Sequence, residues 1–193
     1  FEVFGSGIKT DRDDTVINYN EKKLTEVLKK AFSGDYDSSF KRKYEIHNSS
    51  SYNFADRLEA QEFDENNIKP IQYRPFDFRK IYYKVGFTSR PGYKVMRHFL
   101  AGENIGLVFP RNDYGATQMD HFLPAENVVD IHFVGGQTYV APLYLYEEPK
   151  APQLDGSGMV VRPNFKREFV EFIEGKYDAK PTPEQILGYI YAI

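Results

Sequence analysis

Ile68-Lys69-Pro70-Ile71-Gln72-Tyr73-Arg74-Pro75-Phe76-Asp77-Phe78-Arg79-Lys80-Ile81-Tyr82-Tyr83-Lys84 is the stretch from which the fold class follows. β-Branched and aromatic side chains fill both of its ends, and such residues suit a half-buried pleated surface. Pro75 offers no N–H to a central ladder, so the run divides into two strands around an Arg74-Pro75-Phe76-Asp77 turn. Side chains alternate between the faces of a strand, so about half of these aromatics belong to a core.

Working outward, Glu21 to Phe32 reads as a helix with Leu24, Val27, Leu28 and Phe32 on one face, stopped by Ser33-Gly34. Residues 1–18 predict a short strand and a tight loop, and the polar residues 35–67 a long loop or partly mobile helix. Residues 93–101 predict a short helix entered through Pro91 and capped by Gly102. Residues 104–110, 127–134 and 138–146 predict strands, the last two joined by a Gly135-Gly136-Gln137 hairpin turn. After a Pro/Gly loop over 149–163, Asn164 is expected to cap a helix over 164–174, with Phe165, Phe169, Phe172 and Ile173 on its apolar face. Thr182-Pro183-Glu184-Gln185 is a capping box that opens a final helix. Helices and strands alternate irregularly, so the expected class is α+β, a mainly antiparallel sheet with flanking helices. The chain divides into a helical lead-in (1–65), a β-rich core (66–146) and C-terminal helices (147–193).

The net charge is −3, but it is unevenly spread. Residues 66–111 hold nine Lys and Arg against two acids, a net +7, between flanks of −4 and −6. A basic middle between acidic flanks can build a one-sided electrostatic face; ordinary surface ion pairs are the plainer reading. With no Cys, disulfide, thiolate and zinc-finger chemistry are excluded, and a reducing compartment fits. The chain opens on Phe1 and stops inside an apolar helical pattern, so we read it as part of a longer polypeptide.

Catalytic motifs are missing. Gly5-Ser6-Gly7-Ile8-Lys9-Thr10 resembles a phosphate loop, but Ile8 separates Gly from Lys and removes the backbone cradle. His121 and His132, with Asp120 and Asp130 nearby, lack a third ligand at short spacing, so no metal is expected. No Gly-rich strand–loop–helix for a methyl donor is present, nor a loop that would hold a flipped base. Catalytic residues are therefore expected to be none, and no cofactor is expected in this stretch.

Five blocks, in order, resemble the C-terminal specificity region of type ISP and type IIG restriction–modification enzymes, in the adenine-specific DNA methyltransferase family. They are Gly7-Ile8-Lys9-Thr10-Asp11-Arg12-Asp13; Tyr73 to Arg79 with Tyr82-Tyr83; Arg90-Pro91 with Val95-Met96-Arg97-His98; Asp130 to Tyr146; and Pro183 to Ile193. Lys80 stands where that family often has Trp. The resemblance implies a target-recognition role on double-stranded DNA, beside a methyltransferase domain of the same polypeptide. It also implies that S-adenosylmethionine is bound in the parent enzyme, in a bacterial cytoplasm. On that reading Arg74, Arg79, Lys80, Lys84, Arg90, Lys94, Arg97 and Arg111 would hold phosphates. Asn112, Gln118 and Gln137 would read base edges. The alternative is a scaffold that touches no DNA and whose Arg residues form internal ion pairs.

Overall fold

The structure, a computed structural model, describes residues 1–110, 122–149, 158–177 and 180–192. The chain runs β1 (Gly5–Ser6), α1 (Asp13–Val16), β2 (Ile17–Asn18), α2 (Glu21–Ser33), α3 (Ser38–Lys43), α4 (Phe54–Glu59), a 3-10 turn (Glu65–Asn67), β3 (Ile68–Arg74) and β4 (Asp77–Tyr82). There follow α5 (Tyr93–Leu100), β5 (Gly106–Pro110), β6 (Leu123–Ala125), β7 (Val128–Val129), β8 (Thr138–Pro142), β9 (Tyr144–Glu147), β10 (Val160–Pro163), α6 (Arg167–Tyr177) and α7 (Pro183–Ala192). The expected α+β class holds, with two four-stranded sheets, β1-β8-β5-β6 and β2-β4-β3-β7, and a β9–β10 ribbon. Of the pairs between named strands, β3 with β7 is parallel and the others are antiparallel. Among the described residues no helix is long and apolar enough to cross a membrane.

The central hairpin forms as its sequence dictates. Its register runs from Ile68↔Tyr82 to Arg74↔Asp77, with a shift between Gln72 and Arg74. Ile71, Ile81 and Tyr82 point into the main core with Leu24 and Leu28 of α2. The Asn20 side chain accepts the Lys23 N–H at the start of α2, and Gly34 ends it at φ 72°. Thr182 and Gln185 exchange hydrogen bonds at the start of α7, as the capping box requires.

Elsewhere the chain departs from its local pattern. Residues 35–67 fold into α3, α4 and the 3-10 turn, and the buried Arg12 guanidinium ties together the segment that joins α3 to α4. Arg12 donates to the carbonyls of Glu45 (2.8 Å) and His47 (3.0 Å) and lies against the Tyr52 and Phe54 rings. The strand expected over 127–134 is cut to Val128–Val129. There the Asp130 carboxylate accepts the His132 N–H, and the chain turns away. Gly135-Gly136-Gln137 is therefore no hairpin: β7 and β8 lie in different sheets. The run 138–146 breaks at Leu143, whose N–H goes to Ile105, so that β9 can pair with β10 inside the supposed 149–163 loop. Gly102 does not cap α5; it leaves room for the Tyr146 ring, 2.6 Å from where its Cβ would stand. The helix is entered on Gly92 at φ 57° rather than on Pro91. Asn164 caps nothing, since α6 begins at Arg167. Fully buried, it donates to the carbonyls of Val3 and Pro142 and accepts from the N–H groups of Glu2 and Val3.

The two sheets meet at Gly7-Ile8-Lys9. Gly7 donates to Thr138 (3.1 Å), Ile8 donates to Val129 (2.7 Å) and accepts from Ile131 (2.8 Å), and Lys9 exchanges both bonds with Arg90. A Cβ on Gly7 would lie 2.6 Å from the Asp130 carbonyl oxygen. Backbone is the obstacle, so it cannot rotate aside. Gly7→Ala should cost about 2 kcal/mol or more, as overpacking does, and thermal unfolding should show it as a drop of several degrees. Asn164→Asp should be comparably damaging, because an anion would then face two carbonyl oxygens. Its loss should shrink in acid, where the new carboxyl can donate again; a urea unfolding series against pH measures this.

Candidate nucleic-acid interface

The central basic segment divides into two groups that the structure treats differently. In the β3–β4 hairpin the cations meet the chain's own carboxylates. Arg79 forks onto Asp77 (Nε to Oδ1 2.9 Å, Nη2 to Oδ2 2.7 Å) and donates to the Tyr19 hydroxyl. Its guanidinium is stacked 4.3 Å from the Tyr19 ring centre and 3.9 Å from that of Tyr73. Arg74 stacks on Tyr73 from 4.0 Å and pairs with the buried Asp130 at 2.6 Å. Lys80 pairs with Glu21 at 2.8 Å. Hydrogen bonds from Arg79, aided by its charge, hold the Asp77 carboxyl below the usual range although burial works against this. Burial instead pushes Asp130 up, with the His132 N–H and Arg74 acting against it.

The second group lies on α5 and its approach. Val95, Met96, His98 and Phe99 face the core, while Tyr93, Lys94, Arg97 and Leu100 form the outward stripe. His98 lies buried beneath that stripe. Burial, then the neighbouring Arg97, lowers its pKa, and its Nδ1 accepts the Tyr146 N–H. Arg90 precedes the helix, exposed and tied by its backbone to Lys9. Among the described residues no carboxylate pairs with Arg90, Lys94 or Arg97. Lys84 is half-buried in the turn after β4, also without an ion pair to a described residue.

Of the three expected base readers, Gln137 is half-buried and stands one residue before Thr138, which pairs with Pro110 at the end of β5. Arg111, Asn112 and Gln118 lie outside the described residues, as does His121. His132 is exposed and Asp130 is occupied by Arg74. Among the described residues no group of three or more potential metal ligands gathers.

Sequence reasoning missed two features of this surface. Tyr19 was not associated with the hairpin, since nothing local marks a ring that stacks on a guanidinium sixty residues away. Phe76 was read simply as part of a turn, yet it is 92% exposed at φ 62°. Its signal was available: Pro75 at the second turn position puts Phe76 where a type II turn asks for Gly.

Fold and surface together define a recognition module, with an aromatic hairpin braced by ion pairs, a cationic helix face without a carboxylate partner among the described residues, and a polar turn at the end of a sheet. The chain belongs to the Type ISP C-terminal specificity domain family, which matches it over residues 1–193. No curated protein sequence matches it at a significant level. Among the solved structures that share the fold are these three. One is described as the ATP-dependent Type ISP restriction-modification enzyme LlaBIII bound to DNA (TM-score 0.71, 19% identity, 95% of this chain). Another is the DrdV–DNA complex determined by cryoEM (TM-score 0.73, 19% identity, 100% of this chain). The third is a nuclease-deletion mutant of the Type ISP enzyme LlaGI with a DNA substrate mimic (TM-score 0.58, 20% identity, 89% of this chain). The chain spans 12%, 19% and 18% of the lengths of those three chains.

The depressed Asp77 carboxyl carries a pH signature. A folded-state pKa below the unfolded value near 4 stabilises above that pH, and the contribution disappears as pH falls through the folded value. Arg79→Gln should return the Asp77 titration, followed by NMR at its carboxyl carbon, to the ordinary range and remove the corresponding acid-side loss of stability.

Proposed function

We propose that this domain reads a target sequence in double-stranded DNA for a restriction–modification enzyme. A methyltransferase domain of the same polypeptide would modify adenine in that target, using S-adenosylmethionine, in a bacterial cytoplasm. The observation that carries the reading is the outward face of α5 with Arg90, where three cations stand without a carboxylate partner among the described residues. Phosphates are the natural complement of such a face, and their neutralisation releases counterions. Family membership and the DNA named in all three similar structures support the same partner.

Each predicted residue takes a place in this scheme. Arg90, Lys94 and Arg97, with Lys84 and Arg111, would hold the backbone. Arg74, Arg79 and Lys80 act first on the protein itself, fixing the hairpin. Gln137, beside the end of the β5–β8 pair, would meet base edges together with Asn112 and Gln118, which lie outside the described residues. The methyl donor would sit outside this domain. Gly5-Ser6-Gly7 leads into a β-bridge and the four-residue α1, not into a long helix whose N-terminus could receive a ligand.

The scaffold alternative finds its support in the hairpin, where the Arg side chains do form internal pairs. The two readings separate on salt. The triple change Arg90→Gln, Lys94→Gln, Arg97→Gln in the full polypeptide should flatten the slope of log affinity against log salt by about 2.7, at about 0.9 per phosphate contact. It should leave the melting temperature in place. An unchanged slope would return the domain to a structural role. Exchanging this domain for a relative's and mapping methylated sites in cells would then show whether the recognised sequence follows the domain.

A further inference from the structure

Phe76 is out of place by every local criterion. Pro75 holds φ near about −65°, and Phe76 follows in the left-handed region at 62°, which disfavours residues with a Cβ. Gly or Asn would sit there without strain. The ring gains nothing in exchange from the fold, being 92% exposed, with Phe78 beside it 59% exposed.

The hairpin that presents it is stiffened. Arg79 locks the far side of the turn through its fork onto Asp77 and its stacking between Tyr19 and Tyr73. Arg74 locks the near side through Asp130 and the other contact with Tyr73. These pairs also cancel the charge of Asp77, which would otherwise repel a phosphate backbone from the tip. Phe76 borders a cavity of about 230 Å³ whose wall includes Phe78, Leu123 and Phe133. Phe133, on the same cavity as Phe76, lies four residues before the base-reading candidate Gln137 in the chain.

We propose that Phe76 is an apolar wedge that enters the duplex at a base step and opens its stacking. This rests on the DNA-reading function above and adds a specificity-determining residue to it. Inserted apolar side chains kink DNA most readily at steps that unstack cheaply, so the wedge would select sequence without hydrogen bonds to bases. The apex, Pro75-Phe76, is two residues long and carries a single exposed ring, which fits the gap between two base pairs better than it fits a broad protein interface.

The test uses the full polypeptide and a duplex carrying its methylated site, with 2-aminopurine placed in turn at each position other than the methylated adenine. The unsubstituted protein should brighten the probe at one step. Phe76→Ala should abolish that brightening and weaken binding about tenfold, a change of 1.4 kcal/mol. Phe76→Leu should keep most of both. Phe76→Gly should lose both while melting a few degrees higher, since it relieves the left-handed strain; that gain excludes misfolding as the cause. Brightening that persists in Phe76→Ala overturns the wedge, as does tight binding by the unsubstituted protein with no brightening anywhere; in both cases DNA reading stands. Intact DNA signals in Phe76→Ala, with a hairpin newly open to protease in DNA-free protein, would assign the tip to another domain instead. No duplex binding by the unsubstituted protein would sink the underlying function as well.

Discussion

Three consecutive backbone units, Gly7, Ile8 and Lys9, hold the two sheets and the approach to α5 in one arrangement. The first bonds to β8, the second to the strand end at Val129–Ile131, and the third to Arg90 just before α5. A segment that bonds on both sides needs close approach at the crossing, and Gly7 supplies it by having no Cβ against the Asp130 carbonyl. The placement of Arg90 and of Asp130, and through Asp130 of Arg74, follows from this seam.

That seam separates two uses of positive charge. In the hairpin, Arg is spent on rigidity: planar guanidinium groups fork onto carboxylates and stack on rings, which Lys does not do equally well. On α5 the cations meet no carboxylate among the described residues. A paired guanidinium has little counterion atmosphere to release, so it contributes orientation more than affinity. The hairpin's stiffness is useful because an apolar probe at its tip acts only if it does not fold back.

Much of the local architecture is written in the sequence. The Pro75 break, the apolar stripe of α2, the Thr182 capping box and the alternation in 68–84 each express one short-range rule, and each appears in the structure. The failures share a different cause. Gly135-Gly136-Gln137 has hairpin chemistry, but Asp130 turns the chain first and sends its strands to separate sheets. Asn164 has N-cap chemistry, but its amide is captured by Val3 and Pro142, 161 and 22 residues away. Arg12 orders residues 44–54 through carbonyls that no pattern marks. The basic segment was legible as a count; its division into paired and bare cations was not, because the carboxylates concerned come from β4, α2 and the turn after β7.

An acidic chain can still hold an anionic polymer because charge acts locally. At physiological ionic strength the screening length is about 8 Å, shorter than the width of a domain this size. Acids in the flanks therefore contribute little at the face of α5, where Arg90, Lys94 and Arg97 meet no described carboxylate within 4.0 Å. Their effect grows as salt falls and screening lengthens, so repulsion from the flanks offsets part of the attraction there. The net charge of −3 then describes how the domain is seen from afar, while contact is decided by which cations have been left without a partner of their own.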